Sequence, residues 1–130
     1  MKLLVDTQAW LWSFAQPELL TDTARAALEA EDNEIFVSAG TAWEIVIKNT
    51  IGKLPLPLPG PEYVRTRMAQ AGHAALPIGM DHVLAVAELP LHHRDPFDRL
   101  LIAQARVEGM TIVSADRQLS AYDVSILWDA

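Results

Sequence analysis

Short apolar runs alternate with amphipathic stretches along the 130 residues of this chain. The runs have the length and the nearly continuous hydrophobicity that are typical of strands buried on both faces of a parallel sheet. They predict strands at residues 2–5, 34–38, 75–78, 111–114 and 124–128. The stretches between them repeat apolar residues every three or four positions, as helices with one buried face do. They predict helices at residues 8–15, 21–31, 62–71, 81–87 and 96–108, another that is capped by Ser38 or Thr41 and runs toward Ile51, and a short turn or helix at 117–122.

Strands that alternate with helices imply a parallel sheet that is covered on both faces. We therefore predict an α/β protein, a three-layer α/β/α sandwich with a central, mainly parallel sheet, which residues 1–130 form as one domain. The Leu-Pro repeat at residues 54–61 is expected to be an extended connector packed on this domain, because a residue before proline avoids the helical region. A proline-rich ligand motif is the alternative.

The clearest helix start lies at Asp95. Asp95 is a good N-cap, Pro96 fits the first helical position, and Gly109 is placed to end the helix. Asp98 then lies in the first turn, where the helix dipole stabilises a negative charge. The spacing of Asp95 and Asp98 also resembles a capping box, so a purely structural role is an alternative.

Three more acidic residues follow apolar runs elsewhere in the chain. Asp6 comes directly after the first predicted strand, Glu44 lies early in the helix after the second, and Asp116 follows the fourth. Ligands of parallel sheets bind beyond the carboxyl ends of the strands, at the point where the strand order reverses. We expect four acidic side chains to converge there, from Asp6, Glu44, Asp98 and Asp116.

Each of these acids also has a local explanation. Asp6 and Asp116 can cap the segments that follow them, and Glu44 can pair with Lys48 one helical turn further on. Glu44 is poorly explained as a cap, since it lies several residues inside its helix.

Carboxylates that gather in one place repel one another unless protons or cations neutralise them. Oxygen ligands suit Mg²⁺ or Mn²⁺, and a chain without Cys has no thiolate zinc site. A cation in such a cluster can activate water and stabilise a leaving oxygen, so the pattern indicates phosphodiester hydrolysis. The predicted metal ligands are Asp6, Asp98 and Asp116.

Neighbouring hydroxyl and basic side chains are candidates for supporting roles. Thr7 and Ser114 can orient a ligand carboxylate or a bound water. His92 and His93 are less favoured as metal ligands, because they lie in a loop and have no third histidine at a useful spacing. The candidates for phosphate contact, each of which is otherwise an ordinary surface charge, are Lys48, Arg94, Arg99 and Arg117.

Composition narrows the class of protein further. The formal net charge of −7 argues against a broad basic face for nucleic acid, so an anionic substrate must be held locally or through a metal ion. We expect neither a secretory signal nor a membrane-spanning helix, because the apolar run that Asp6 interrupts is short and no stretch approaches roughly 20 apolar residues. With no Cys for a disulfide framework, we expect a cytoplasmic protein without membrane association.

Four segments resemble those of a known family. They read Leu-Leu-Val-Asp-Thr at 3–7, Ala-x-x-x-Trp-Glu-Ile-x-Ile-Lys at 39–48, His-His-Arg-Asp-Pro-Phe-Asp-Arg-Leu-Leu-Ile-Ala-Gln-Ala at 92–105, and Ile-Val-Ser-Ala-Asp at 112–116. In this order they resemble PIN-domain ribonucleases, and most of all the VapC-type toxins of bacterial toxin–antitoxin pairs.

The resemblance implies RNA cleavage that depends on Mg²⁺ or Mn²⁺, a homodimer, and inhibition by a cognate antitoxin whose tail occupies the active-site groove. It matches the family's acidic quartet to Asp6, Glu44, Asp98 and Asp116. Asp95 corresponds to a supporting fifth carboxylate. Ser114 stands where many relatives have Thr, a change that keeps the hydroxyl.

Two other functions stay open from the sequence. In a phosphoryl-transfer or receiver-like domain that depends on Mg²⁺, Asp6 or another Asp of the chain would itself become phosphorylated. Such a domain is expected to have paired acids after the first strand, where Asp6 has no acidic neighbour. A non-catalytic binding module would keep the fold without turnover. The complete acidic quartet weighs against it.

Overall fold

Five parallel strands form one sheet in the computed structural model of the chain, which describes residues 1–129. The strand order is β3-β2-β1-β4-β5, and each neighbouring pair is parallel. The chain therefore builds outward from β1 on one side before it returns to place β4 on the other side. The strands are β1 (Lys2–Val5), β2 (Glu34–Ser38), β3 (Ala74–Leu76), β4 (Thr111–Val113) and β5 (Ile126–Leu127).

Two hydrophobic cores lie on opposite faces of this sheet. Leu3 and Val5 of β1 belong to the first core and Leu4 to the second, because successive side chains of a strand point to opposite faces. Trp10 is fully buried in the first core, and Ile102 is fully buried in the second. Helices thus cover both faces, which confirms the predicted three-layer sandwich.

The helices follow the predicted pattern closely. Their bounds are α1 (Thr7–Ala15), α2 (Asp22–Glu29), α3 (Ala39–Thr50), α4 (Gly60–Ala71), α5 (Met80–Ala85) and α6 (Pro96–Glu108). Asp95 is the N-cap of α6, as predicted, and Gly109 ends the helix at a φ of 68°. A positive φ is a conformation that glycine adopts without steric cost.

The predicted N-cap of α5, Asp81, lies two residues after the observed one. The N-cap is Gly79, because the His82 ring accepts a hydrogen bond from the Gly79 N–H at 2.9 Å and closes the first turn. Asp81 lies inside the first turn and is exposed. A contact from a buried side chain therefore decides this cap.

The Leu-Pro segment before α4 packs on the first core through three partly buried leucines, Leu54, Leu56 and Leu58. This confirms the connector interpretation. The Gly60 N–H donates to Asn49 Oδ1 at 3.0 Å, which ties the end of the connector to α3. Within residues 1–129, no helix combines the length and the apolar character that crossing a membrane requires.

We expect Leu4→Ala to lower the free energy of unfolding by about 2–5 kcal/mol, because it leaves a cavity at the centre of β1. Leu4 is fully buried, whereas Leu91 is 83% exposed and provides the matched control. Leu91→Ala should change stability by no more than about 0.5 kcal/mol. Urea unfolding of both variants measures the difference, and equal losses would contradict the described core.

Candidate active site

A cavity of about 490 Å³ opens at the carboxyl ends of β1 and β4, where the strand order reverses. The structure brings all four predicted acids to its wall, together with Asp95 and Thr7. Their catalytic and metal-binding roles stay predictions, but the predicted convergence is a feature of the fold. The acids of the quartet that line the cavity are Asp6, Glu44, Asp98 and Asp116.

Asp6 lies where β1 passes into α1, and the residue is only 8% exposed. Its Oδ1 accepts the Ala9 N–H at 2.7 Å, so it caps α1, and its Oδ2 accepts the Ser114 hydroxyl. Its own N–H donates to the Val113 carbonyl at 3.0 Å. Burial raises the pKa of Asp6 to about 6, although the hydrogen bonds from Ser114 and Ala9 to the carboxylate oppose that rise.

Glu44 is buried on α3, and both of its carboxylate oxygens have partners. The Thr7 hydroxyl donates to Oε1 at 2.7 Å, and the Lys48 ammonium donates to Oε2 at 2.7 Å. The hydrogen bond to Glu44 raises the pKa of Lys48. The ion pair between Glu44 and Lys48 that the sequence suggested is present, and both residues line the cavity.

Asp95 and Asp98 occupy the start of α6. Asp95 Oδ1 accepts the N–H groups of Phe97 at 2.8 Å and of Asp98 at 3.4 Å, which establishes its capping role. Asp98 contributes its own carboxylate to the cavity. Burial, followed by the negative charge of Asp95, raises the pKa of Asp98 to about 7.

Asp116 completes the quartet beyond β4. Its Oδ1 accepts the Gln118 N–H at 2.9 Å, and its N–H donates to the Ser114 hydroxyl oxygen at 3.0 Å. Its Oδ2 lies 3.2 Å from His93 Nε2, which is also 3.0 Å from Asp98 Oδ2. His93 thus joins two acids of the cavity.

The sequence argues only against His93 as a metal ligand, since no third histidine lies at a useful spacing. It does not indicate that the partners of His93 are acids, which folding brings to it. The available clue was the position of His93, two residues before the N-cap of the helix that carries Asp98.

The basic candidates have different placements. Lys48 lines the main cavity, as does Lys53, which sequence reasoning missed because it follows a helix end in a connector. Arg117 lines an adjoining cavity of about 510 Å³ that shares Ala115 and Asp116 with the first. Two basic side chains therefore line the acidic cavity, and a third lines the cavity beside it.

Arg99 and Arg94 are not brought to the cavity lining. The Arg99 guanidinium donates to main-chain carbonyls of the preceding segment, including those of Pro90 at 3.0 Å and Leu89 at 3.2 Å. It holds the loop before α6 and does not face the acids. Arg94 is exposed.

The carboxylates that line the cavity suit a hard divalent cation. Lys48 neutralises only Glu44 directly, and burial, with a smaller contribution from neighbouring negative charges, raises the pKa values of Asp6 and Asp98. Mg²⁺ and Mn²⁺ prefer oxygen ligands of this kind. The residues present therefore fit the cation that the sequence predicts.

The fold and the cavity together define a three-layer α/β protein with an acidic, cation-suited cavity at the switch point of a parallel sheet. The sequence matches the PIN domain over residues 3–125, nearly its whole length. The chain belongs to the PIN domain family. This result confirms the resemblance found in the sequence.

Comparison with individual proteins agrees with this assignment. The chain is 41% identical over 69 residues to Ribonuclease VapC16 of Mycobacterium tuberculosis, a match that covers 51% of this chain and 48% of the relative. The aligned region thus spans about half of the length of that curated relative.

Solved structures share the fold over almost the whole chain. The complex of VapBC2 from Rickettsia felis with a promoter DNA fragment matches with a TM-score of 0.73 and 14% identity, covering 99% of this chain and 98% of that one. DNA-bound VapBC from Salmonella typhimurium also matches with a TM-score of 0.73, at 13% identity and with the same coverage. At these identities the likeness establishes the fold.

The raised pKa values predict how stability depends on pH in the absence of metal. Asp6 and Asp98 titrate at about 6 and about 7 in the folded protein, against an ordinary value of 3.8. The folded state therefore binds these protons more tightly than the unfolded chain does. Their contribution to the free energy of unfolding is greatest below about pH 4 and is lost as pH rises through about 7.

Asp98→Asn should reduce the fall in the free energy of unfolding as pH rises, because Asn does not ionise. In EDTA the variant should therefore gain stability relative to the wild type between about pH 4 and pH 8. Urea unfolding at a series of pH values measures the gain. Asp123→Asn, at an exposed position outside the cavity lining, should follow the wild-type curve. Parallel curves for Asp98→Asn and the wild type would contradict the electrostatic description of the cavity.

Proposed function

We propose that this chain is a divalent-metal-dependent endoribonuclease that hydrolyses RNA phosphodiester bonds, with residues 1–130 acting as one domain. The observation that carries the proposal is the convergence of four carboxylates on one cavity at the switch point of the sheet. The identity of 41% to a ribonuclease, over about half of the chain, supports RNA as the substrate.

In this mechanism Asp6, Asp98 and Asp116 would hold a Mg²⁺ or Mn²⁺ ion. When it is bound, the cation supplies Lewis acidity toward the phosphodiester and the attacking water. The Ser114 hydroxyl and the Ala9 N–H fix the orientation of the Asp6 carboxylate.

Glu44 also lines the cavity, and Thr7 and Lys48 orient its carboxylate. Its buried carboxylate orients the attacking water and does not need to move during the reaction. The positive charges of Lys48 and Lys53, together with Arg117 in the adjoining cavity, offset the negative field that an RNA backbone meets at this acidic protein. Arg94 is a more distant candidate for such a contact.

We further propose that the chain is the toxin of a type II toxin–antitoxin pair in the cytoplasm, where a cognate antitoxin covers the cavity. The structural relatives from Rickettsia felis and Salmonella typhimurium are VapBC assemblies, which supports a protein partner. We also propose a homodimer. Three exposed apolar side chains on one face of α5, from Met80, Val83 and Leu84, offer a surface for a second copy.

The phosphoryl-transfer alternative has weaker support. Asp6 follows β1 without the acidic neighbour that a phosphorylated Asp is expected to have at the end of the first strand.

Purified protein should cut single-stranded RNA with Mg²⁺ or Mn²⁺ and should stop when EDTA is added. Asp6→Asn and Asp98→Asn should each lower the cleavage rate by more than about 100-fold, since loss of a ligand costs at least as much as loss of its outer partner. Asn caps helices as well as Asp does, so Asp6→Asn should remain folded. Gel analysis of labelled RNA, with circular dichroism of each variant, measures both effects.

Asp123→Asn provides the control for a general loss of negative charge and should cut at the wild-type rate. Undiminished cutting by folded Asp6→Asn and Asp98→Asn would reject the assignment of these residues. An acyl-phosphate without RNA cutting would favour phosphoryl transfer, and neither activity would favour a binding module.

Lys53→Ala should raise the KM for RNA with little change in kcat, because the ammonium lines the cavity without contacting the acids that hold the cation. The slope of log kcat/KM against log salt should fall by about 0.7, the value for one phosphate contact on a single strand. Lys2→Ala, at the opposite end of β1, is the matched control and should leave both quantities unchanged. A loss of kcat without a change in KM would exclude a role for Lys53 in substrate binding.

A further inference from the structure

His93 is held by hydrogen bonds at both nitrogens of its ring. Nε2 lies 3.0 Å from Asp98 Oδ2 and 3.2 Å from Asp116 Oδ2, and Nδ1 lies 3.1 Å from the backbone nitrogen of Asp95. The side chain is 15% exposed, so water competes little for these contacts. A nitrogen and two carboxylate oxygens at this spacing resemble a metal site.

The contact at Nδ1 argues against such a site. A backbone N–H can only donate, so Nδ1 must offer its lone pair to Asp95, and the neutral ring then carries its proton on Nε2. A histidine that binds a metal through one nitrogen normally donates its other N–H to an acceptor. In His93 the arrangement is reversed, and Nε2 has a proton where a metal ligand needs a lone pair.

We propose that His93 is a positioning residue whose Nε2–H bridges the Oδ2 atoms of Asp98 and Asp116 and presents the two carboxylates as a pair. An N–H shared between the two oxygens offsets their mutual repulsion. Each carboxylate oxygen has a second lone pair, so the bridge leaves both groups able to bind a cation. The link to metal binding rests on the proposed function, whereas the tautomer does not.

The loop around His93 is built to fix this ring. The Tyr122 hydroxyl oxygen accepts the N–H groups of His93 at 2.7 Å and of His92 at 3.1 Å. Arg99 donates to the Tyr122 hydroxyl and to the His93 carbonyl, both at 3.4 Å. A buried tyrosine and an arginine thus hold the backbone while Asp95 holds the ring.

The tautomer can be observed directly by two-bond ¹H–¹⁵N correlation spectra of the imidazole rings in the full chain, first with EDTA and then with Mg²⁺. The His93 signals are assigned by their loss in His93→Gln. We expect a protonated Nε2 and an unprotonated Nδ1 in both conditions. A proton on Nδ1 in either condition would overturn the proposal, and its appearance only with Mg²⁺ would identify His93 as a metal ligand.

Two substitutions test the positioning role without RNA. His93→Gln keeps an amide N–H near the place of Nε2, whereas His93→Leu removes the donor. Calorimetry should show a loss of about 10–100-fold in Mg²⁺ affinity for His93→Leu, the usual cost of removing the partner of a ligand, and recovery of most of it in His93→Gln. His92→Leu is the matched control and should leave the affinity unchanged. The exposed His92 ring packs on Tyr122, and the variant keeps the backbone N–H that donates to the Tyr122 hydroxyl.

Wild-type Mg²⁺ affinity in His93→Leu, or equal losses in both His93 variants, would overturn the proposal. Thermal unfolding identifies a variant that fails to fold, and the tautomer in the wild-type protein decides the question in that case. None of these measurements depends on RNA cleavage. A protein that shows the expected tautomer and affinities but does not cut RNA would contradict the proposed function alone.

Discussion

The structure depends on how the buried Asp6 carboxylate is held at the end of the central strand. One oxygen caps α1 through the Ala9 N–H, the other accepts the Ser114 hydroxyl from beyond β4, and the Asp6 N–H pairs with the Val113 carbonyl. These bonds join the first strand, the first helix and the strand on the far side of the switch point. The same group therefore completes the sheet edge and forms the floor of the acidic cavity, so the geometry of the cavity follows from that of the sheet.

Negative charge at this edge has a cost in stability that the protein only partly offsets. Lys48 neutralises Glu44, and the Nε2–H of His93 lies between two carboxylates. Burial, with a smaller contribution from the remaining repulsion, raises the pKa values of Asp6 and Asp98. Functional sites commonly keep such uncompensated interactions, because the group that relieves them is the ligand. In the proposed function, a divalent cation would relieve this conflict and would reduce the repulsion between the acidic protein and an RNA backbone.

The sequence predicts the helices, strands and caps that depend on neighbouring residues, but it does not predict contacts that depend on tertiary packing. Alternating apolar runs indicated the layers, and Asp95 with Gly109 bounded α6 correctly, because strand burial and helix capping are encoded by neighbours in the chain. The cap of α5 differed because the His82 ring, a buried side chain, closes that turn. The contacts of His93 and Arg99 could not be predicted, and the reason is the same for both. The partners of each were selected by folding, which turned His93 toward the acids and Arg99 toward the carbonyls of its own loop.

A carboxylate at this edge of the sheet can cap a helix and contribute to the site at the same time, because it has two oxygens. Asp116 gives Oδ1 to the Gln118 N–H and Oδ2 to His93, so the cap itself fixes the direction in which the second oxygen points. Asp6 divides its oxygens in a similar way between its own helix and a neighbouring strand. A side chain that caps the segment it starts has lost its rotational freedom before a ligand arrives, and that loss is part of what binding otherwise has to offset. Helix caps at the ends of neighbouring parallel strands are therefore a physical means of organising a site in advance, and a capping motif in such a position is evidence for a site as well as for a helix.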